Sequence, residues 1–382
     1  MTNPRVTVLC SGFGLGFYIP GLLAARGLEK RGIACDVRVF EALLKPEKQR
    51  RIDDSRIAYH HHFAAAQLAT RLPKDMRDSM DAEAAQRLIE QWEHEEREHF
   101  IALSGNWVYL LDLYRERRIR AGRSAPRVDL LYVDSDYSPS WRSMKRFVPD
   151  FGTRYREVWL CRAESGAIQR YIPIGEDKPI PYGDRRESYV VHGGGWGIGT
   201  YRSEAEELAR LGIALDIVVY EEEEAARQRR GNRCFINDPA WRAWETAPGE
   251  RPSFPPFAEL PPEGKPAYRI PLEHHGLYGV IRQASGIISK PGAGTLIDSL
   301  ASATPLILLE PFGKHEAHNA ALWRELGLGI PMADWRAAGY SREALRPLHE
   351  RLLAAKSKAG DYIEEYAEAL GALRAKGRGR EE

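Results

Sequence analysis

The sequence contains no Cys-x-x-Cys pair. Its 4 cysteines, Cys10, Cys35, Cys161 and Cys234, are scattered along the chain, which leaves no thiol zinc site or dithiol redox motif. Cys10 and Cys35 fall in expected strands, so the reading is buried free thiols in a reducing compartment. No run reaches the ~18 apolar residues that a membrane span needs. The first residues, MTNPRVTVLCSGFG, show no basic region followed by an apolar signal core. The expectation is a cytoplasmic protein with no transmembrane segment. An excess of either charge is also missing: 55 Lys and Arg stand against 54 Asp and Glu, a net charge of +1. With no overall field, nucleic acid is not an expected partner. His60-His61-His62 lacks the HxxxH or HExxH separation of a zinc site, so no metal is expected. A solvated loop is the plain reading of this triplet. With Lys45, Lys48, Arg50, Arg51 and Arg56 upstream, the other reading is an acceptor pocket that favours an anionic group.

What is present is ordinary globular material: 382 residues, 43% hydrophobic and 29% charged, enough for two domains of ~100–200 residues. Residues 6–11 (VTVLCS) predict a strand leading into Gly12-Phe13-Gly14-Leu15-Gly16. A helix over 19–31 and a strand over 34–40 complete a βαβ opening. Residues 76–120 read as one long helical region. Residues 128–133 read as a strand that ends at Asp134-Ser135-Asp136, and 157–162 as a further strand. The Pro- and Gly-containing run 173–183 marks a linker. A second series follows, with a strand over 188–191, a glycine loop through 200 (HGGGWGIGT), a helix over 201–211 and a strand over 215–220. Residues 232–265 are Pro-rich and read as an irregular insertion with no assigned partner. Residues 341–375 predict two helices, and the charged tail 376–382 predicts disorder.

The most informative stretch is 286–329. An apolar strand end at 286–289 meets the turn Pro291-Gly292-Ala293-Gly294-Thr295, and a helix runs through Leu300. A strand over 305–309 ends at Glu310-Pro311. A polar loop over 313–318 leads into a helix over 319–326. Ligands bind beyond the C-terminal ends of strands in open parallel sheets, and both loops lie there. Glycine lets the backbone approach a ligand, and the new helix offers free N–H groups suited to phosphate. Asp298, one turn on, is placed to accept from a ribose diol. His274-His275 precedes a helix, either as a plain capping turn or as an approach to the same ligand. The first loop has GxGxG spacing, Pro20 after it and Glu41 beyond the second strand. This is not the GxGxxG fingerprint, so NAD or FAD is not an expected cofactor.

The order Ser289-Lys290-Pro291-Gly292-Ala293-Gly294-Thr295, Asp298, Thr304-Pro305, Glu310-Pro311, His315-Glu316 and Asn319-Ala320 resembles the nucleotide-sugar half of the GT-B glycosyltransferases. It is most similar to the family 1 enzymes of natural-product biosynthesis and to the transferase that adds GlcNAc to the lipid-linked cell-wall precursor. The motif covers about the last third of the chain. The resemblance implies an α/β chain of two facing Rossmann-like domains with an interdomain cleft. Residues 1–172 would form the acceptor domain, 173–187 the linker and 188–340 the nucleotide-sugar domain. The helices of 341–382 would cross back to the acceptor domain.

It further implies a hexosyltransferase that takes a UDP- or dTDP-sugar as co-substrate and a small natural-product or lipid-linked acceptor, as a monomer or homodimer. Donor binding would fall to Gly194, Gly195, Trp196, Gly197, Thr200, Lys290, Gly292, Ala293, Gly294, Thr295, Asp298, His315, Glu316 and Asn319. Gly14, Gly16, Phe17, Tyr18 and His61 would stand on the acceptor side. The family often carries Gly-His-x-x-Pro there, its histidine acting as base. This chain has Gly16-Phe17-Tyr18-Ile19-Pro20, and phenylalanine takes no proton. Three explanations stand: a base from elsewhere, an acceptor such as an amine that needs none, or a non-catalytic protein. Asp134 and Asp136 are the replacement candidates, with loop capping as the plain alternative. A nucleotide-sugar epimerase or hydrolase, or an accessory protein that kept the fold, is the alternative function.

Overall fold

A computed structural model of the chain describes residues 5–228, 231–246 and 249–378. Among the described residues it holds two large, mainly parallel sheets, besides two two-stranded ones. In the first, strands lie side by side in the order Ala34–Val39, Arg5–Cys10, His99–Ala102, Arg127–Tyr132 and Arg156–Trp159. All four pairings are parallel. The second sheet runs Phe257–Glu259, Arg233–Asn237, Leu215–Val218, Arg186–His192, Ala284–Ser289, Leu306–Leu308 and Gly329–Pro331. There only the edge strand Phe257–Glu259 is antiparallel.

Both sheets are buried on two faces, so their strands read as unbroken apolar runs, such as VTVLC and SGIIS. Chain order reverses beside Arg5–Cys10 in one sheet and beside Arg186–His192 in the other. Crevices open at such points, and both glycine loops emerge there.

Several expectations change. The region 76–120 is not one helix. It breaks into Ala82–His94, the strand His99–Ala102 and Val108–Arg120. The strand is four residues of buried sheet centre, too short for periodicity to separate from helix. The segment 232–265 is not simply an insertion, because it supplies Arg233–Asn237 and Phe257–Glu259. The loop between them packs on the first half: Ala243 and Phe254 join the core around Leu22, and the Tyr18 hydroxyl donates to the Ser253 carbonyl at 2.8 Å. The polar loop at 313–318 ends early, since the helix Lys314–Glu325 begins inside it. The helix Tyr362–Arg378 runs into the tail expected to be disordered, and 379–382 lie outside the described residues.

Of the residues after 341, the helix Arg346–Lys358 stays on the second half, with Leu348 and Leu352 in its cores, and only the last helix, Tyr362–Arg378, returns to the first half. Tyr362 donates to Asp129 at 3.1 Å, and Ile363 and Leu370 join the core of the helix Leu15–Lys30. That core also takes Ala293, Ile297 and Ala301 from the helix Ala293–Ser302, so the two halves share apolar packing.

Candidate active site

A cavity of about 540 Å³ opens between the two sheets, at the C-terminal ends of their strands. Two helices begin at it, Leu15–Lys30 and Ala293–Ser302, with Gly14 and Gly292 as N-caps that offer no side-chain hydrogen bond. Their uncapped N–H groups and positive dipole ends therefore face the cavity. A Cβ on Gly294 would lie 3.9 Å from the Gly16 Cα, so the two starts nearly touch. From the second sheet, Gly194, Gly195 and Trp196 form the adjoining wall. A Cβ on Gly195 would lie 2.6 Å from Leu15, so only glycine lets the two loops meet.

The cavity gathers most of the residues expected on the donor side: Lys290, Gly292, Ala293, Gly294, Thr295, Asp298, His315 and Glu316 all line it. Lys290 sits between the glycine turns, with Nζ 2.7 Å from Glu316 Oε1. Glu316 Oε2 also accepts from the Phe312 N–H at 2.7 Å. Asp298 is buried and its Oδ1 lies 2.9 Å from His275 Nε2. Its Oδ2 takes no hydrogen bond among the described residues. Gly14, Gly16, Phe17 and Asp134 line the other wall.

Other expected residues lie elsewhere. Thr200 caps the helix Tyr201–Arg210 and does not reach the cavity. Gly197 turns behind the loop with φ of 57°. Asn319 is fully buried and bonds protein on every polar atom. Its Oδ1 accepts from the Ser135 N–H at 2.7 Å, and its Nδ2 donates to Asp134 Oδ1 at 2.8 Å and to the Pro291 carbonyl at 2.9 Å. It ties the halves together and presents nothing to a ligand. Tyr18 is core. His61 is exposed beside Glu221 at 3.3 Å, off the cavity. Asp136 is also off the cavity, paired with His318 at 2.8 Å. The solvated-loop reading fails for His60, which lies in the last turn of the helix Pro46–His61 and is buried.

Asp134 is buried at the end of Arg127–Tyr132. Burial drives its carboxyl above the ordinary carboxylate range, against the opposing pull of His315, the Asn319 amide and Lys290. A carboxylate so raised is a better proton acceptor than an exposed one.

Sequence reasoning passed over His192, the last residue of its strand. It is buried in the cavity wall and its pKa is lowered to about 3, first by burial and then by Lys290 and His275. The Gly194 N–H donates to Nδ1 at 3.1 Å. The neutral ring then carries its proton on Nε2, which has no protein partner among the described residues. The signal was a polar residue closing an apolar strand immediately before three glycines.

No protein-family model and no curated protein matches the chain. Solved structures do. The glycosyltransferase SnogD from Streptomyces nogalater is 14% identical over 97% of this chain and 100% of its own, with a TM-score of 0.52. The spinosyn rhamnosyltransferase SpnG is 14% identical over 96% of this chain and 100% of its own, with a TM-score of 0.54. Glycosyltransferase VinC, solved with dTDP, is 10% identical over 97% of this chain and 100% of its own, with a TM-score of 0.56. The fold is GT-B. The GT-B arrangement places the cavity where two Rossmann-like halves face each other. Among the described residues no helix is long and apolar enough to cross a membrane.

Proposed function

We propose that the protein is a glycosyltransferase that moves a sugar from a UDP- or dTDP-linked donor to a small natural-product or lipid-linked acceptor. One observation carries this reading: uncapped helix N-termini, the glycine wall at 194–196 and the unpartnered His192 Nε2–H converge on one cavity beside Asp298. VinC, of the same fold, was solved in complex with dTDP, which supports a nucleoside diphosphate as the kind of ligand.

In this scheme the diphosphate lies against the Gly292 to Thr295 turn and the 194–196 loop. His192 Nε2 donates to a phosphate oxygen. His275 orients Asp298, whose Oδ2 accepts from a ribose hydroxyl. The acceptor oxygen attacks the anomeric carbon as the bond to the diphosphate oxygen breaks, and its proton passes to Asp134. Charge developing on the leaving group is met by fixed N–H dipoles in a water-poor site. The residues themselves supply this charge stabilisation, so the scheme needs no metal or redox cofactor.

A second reading, an accessory protein that keeps the fold without transfer, is favoured by Phe17 on the acceptor wall. Release of UDP or dTDP from a panel of nucleotide sugars, with and without acceptors, separates them. Acceptor-dependent release supports transfer, and acceptor-independent release supports hydrolysis. No release from any donor supports the accessory reading.

A further inference from the structure

We propose that His60, as an imidazolium, clasps the back of the glycine loop from the opposite half. The loop then holds the shape that receives a diphosphate only while the halves are in contact. This rests on the nucleotide reading above and adds a positioning residue to it.

His60 lies in the last turn of the helix Pro46–His61 of the first half, and its side chain is 0% exposed. Its Nδ1 lies 2.7 Å from the Gly197 carbonyl oxygen, and its Nε2 lies 2.7 Å from Glu224 Oε1. Both contacts cross to the second half. A carbonyl and a carboxylate only accept, so both ring nitrogens must donate, which a neutral imidazole cannot do. Glu224 is the matching anion. Burial alone would raise its carboxyl, but hydrogen bonds from His60 and the Tyr220 N–H, with the charges of His60 and Arg202, hold it at about 2.

The other groups around the ring are accounted for. Arg202 Nη1 lies 3.0 Å from Glu224 Oε1 and 3.4 Å from His60 Nε2, and its Nη2 donates to the His60 carbonyl at 3.1 Å. The rings of Tyr220 and His61 stand 4.6 and 4.9 Å away. Tyr201 donates to Glu224 Oε2 at 3.3 Å, and Glu221 faces His61. His60, His61 and Glu221 stand within 4.8 Å of one another. A cation there would need a lone pair that His60, donating from both nitrogens, does not have.

Gly197 is the hinge of this contact. Its φ of 57° suits glycine, and a Cβ there would lie 2.7 Å from His60 Nδ1. The Gly197 N–H bonds the Gly194 carbonyl at 3.1 Å, and the Ile198 N–H bonds the Gly193 carbonyl at 2.9 Å. Fixing the Gly197 carbonyl therefore fixes the turn whose Gly194, Gly195 and Trp196 line the cavity.

The test is UDP calorimetry at one fixed, near-neutral pH on the 382-residue chain, His60→Gln and Glu224→Gln. The expected result is roughly tenfold weaker binding by His60→Gln, with a loss in the same direction in Glu224→Gln. Wild-type affinity in His60→Gln overturns the proposal. If the wild type binds no UDP, the nucleotide reading fails instead, and the clasp is decided by ¹⁵N NMR of the histidine rings. Two protonated nitrogens on His60 near neutral pH, lost in Glu224→Gln, support it; a single protonated nitrogen overturns it. Thermal melts establish that each variant is folded.

Discussion

Asp134 and Asp136 are two residues apart and have different fates. Asp134 turns into the cavity, where burial raises its carboxyl, while Asp136 pairs with His318 outside it. With an acceptor found in the screen, Asp134→Asn should lower kcat by roughly 10²–10⁴ and leave UDP affinity intact. Asp136→Asn should turn over like wild type. The sign of the pH effect follows: a base held above the ordinary carboxylate range stays protonated further up the scale. Thus kcat/KM should rise with pH through that elevated value, and Asp134→Asn should lack this limb. His192 gives the opposite expectation. With its pKa near 3 it stays neutral through the working range. His192→Ala should weaken UDP binding by about 1.5–3 kcal/mol, the scale of a hydrogen bond to a charged group, by a similar amount at every pH above about 5. Asp298→Ala should cost about 1–3 kcal/mol on the same calorimetric scale.

At the scale of elements, legibility tracked how local the governing physics was. Gly292, Gly294 and Asp298 were readable because turn chemistry and helical spacing are set within a few residues. The strand His99–Ala102 was not, because a four-residue strand with three buried apolar residues carries no distinguishing period. Asn319 and His60 were misjudged for another reason. Each is defined by partners more than 130 residues away, Asp134 for one and Gly197 for the other, and spacing along the chain contains no record of them. His315 and Glu316 kept their expected place in the cavity although their loop became the first turn of a helix. Helix packing also offers a prediction. A Cβ on Gly21 would lie 2.2 Å from Cys10 Sγ in a fully buried contact. Gly21→Ala should therefore destabilise the fold by about 1–3 kcal/mol, read as a lowered denaturation midpoint.

For the molecule as a whole, the two halves meet through shared core and through polar ties: Asn319 to Asp134 and Ser135, His60 to Gly197, and Gln67 to Glu310 at 3.0 Å. The Asn319 tie joins the turn that would hold phosphate, at Pro291, to the carboxylate that would take the proton. In the proposed scheme one buried amide thus links the donor side of the cavity to the base. Charge in the cavity is handled by Lys290, helix ends and backbone N–H groups, so chelators should leave turnover unchanged, checked by assay with and without EDTA. A crystal structure with UDP soaked at millimolar concentration tests the proposed donor site most directly. The expected result is the diphosphate between the Gly292 to Thr295 turn and His192, with the ribose on Asp298. UDP bound away from these residues, or no UDP bound at all, would contradict it.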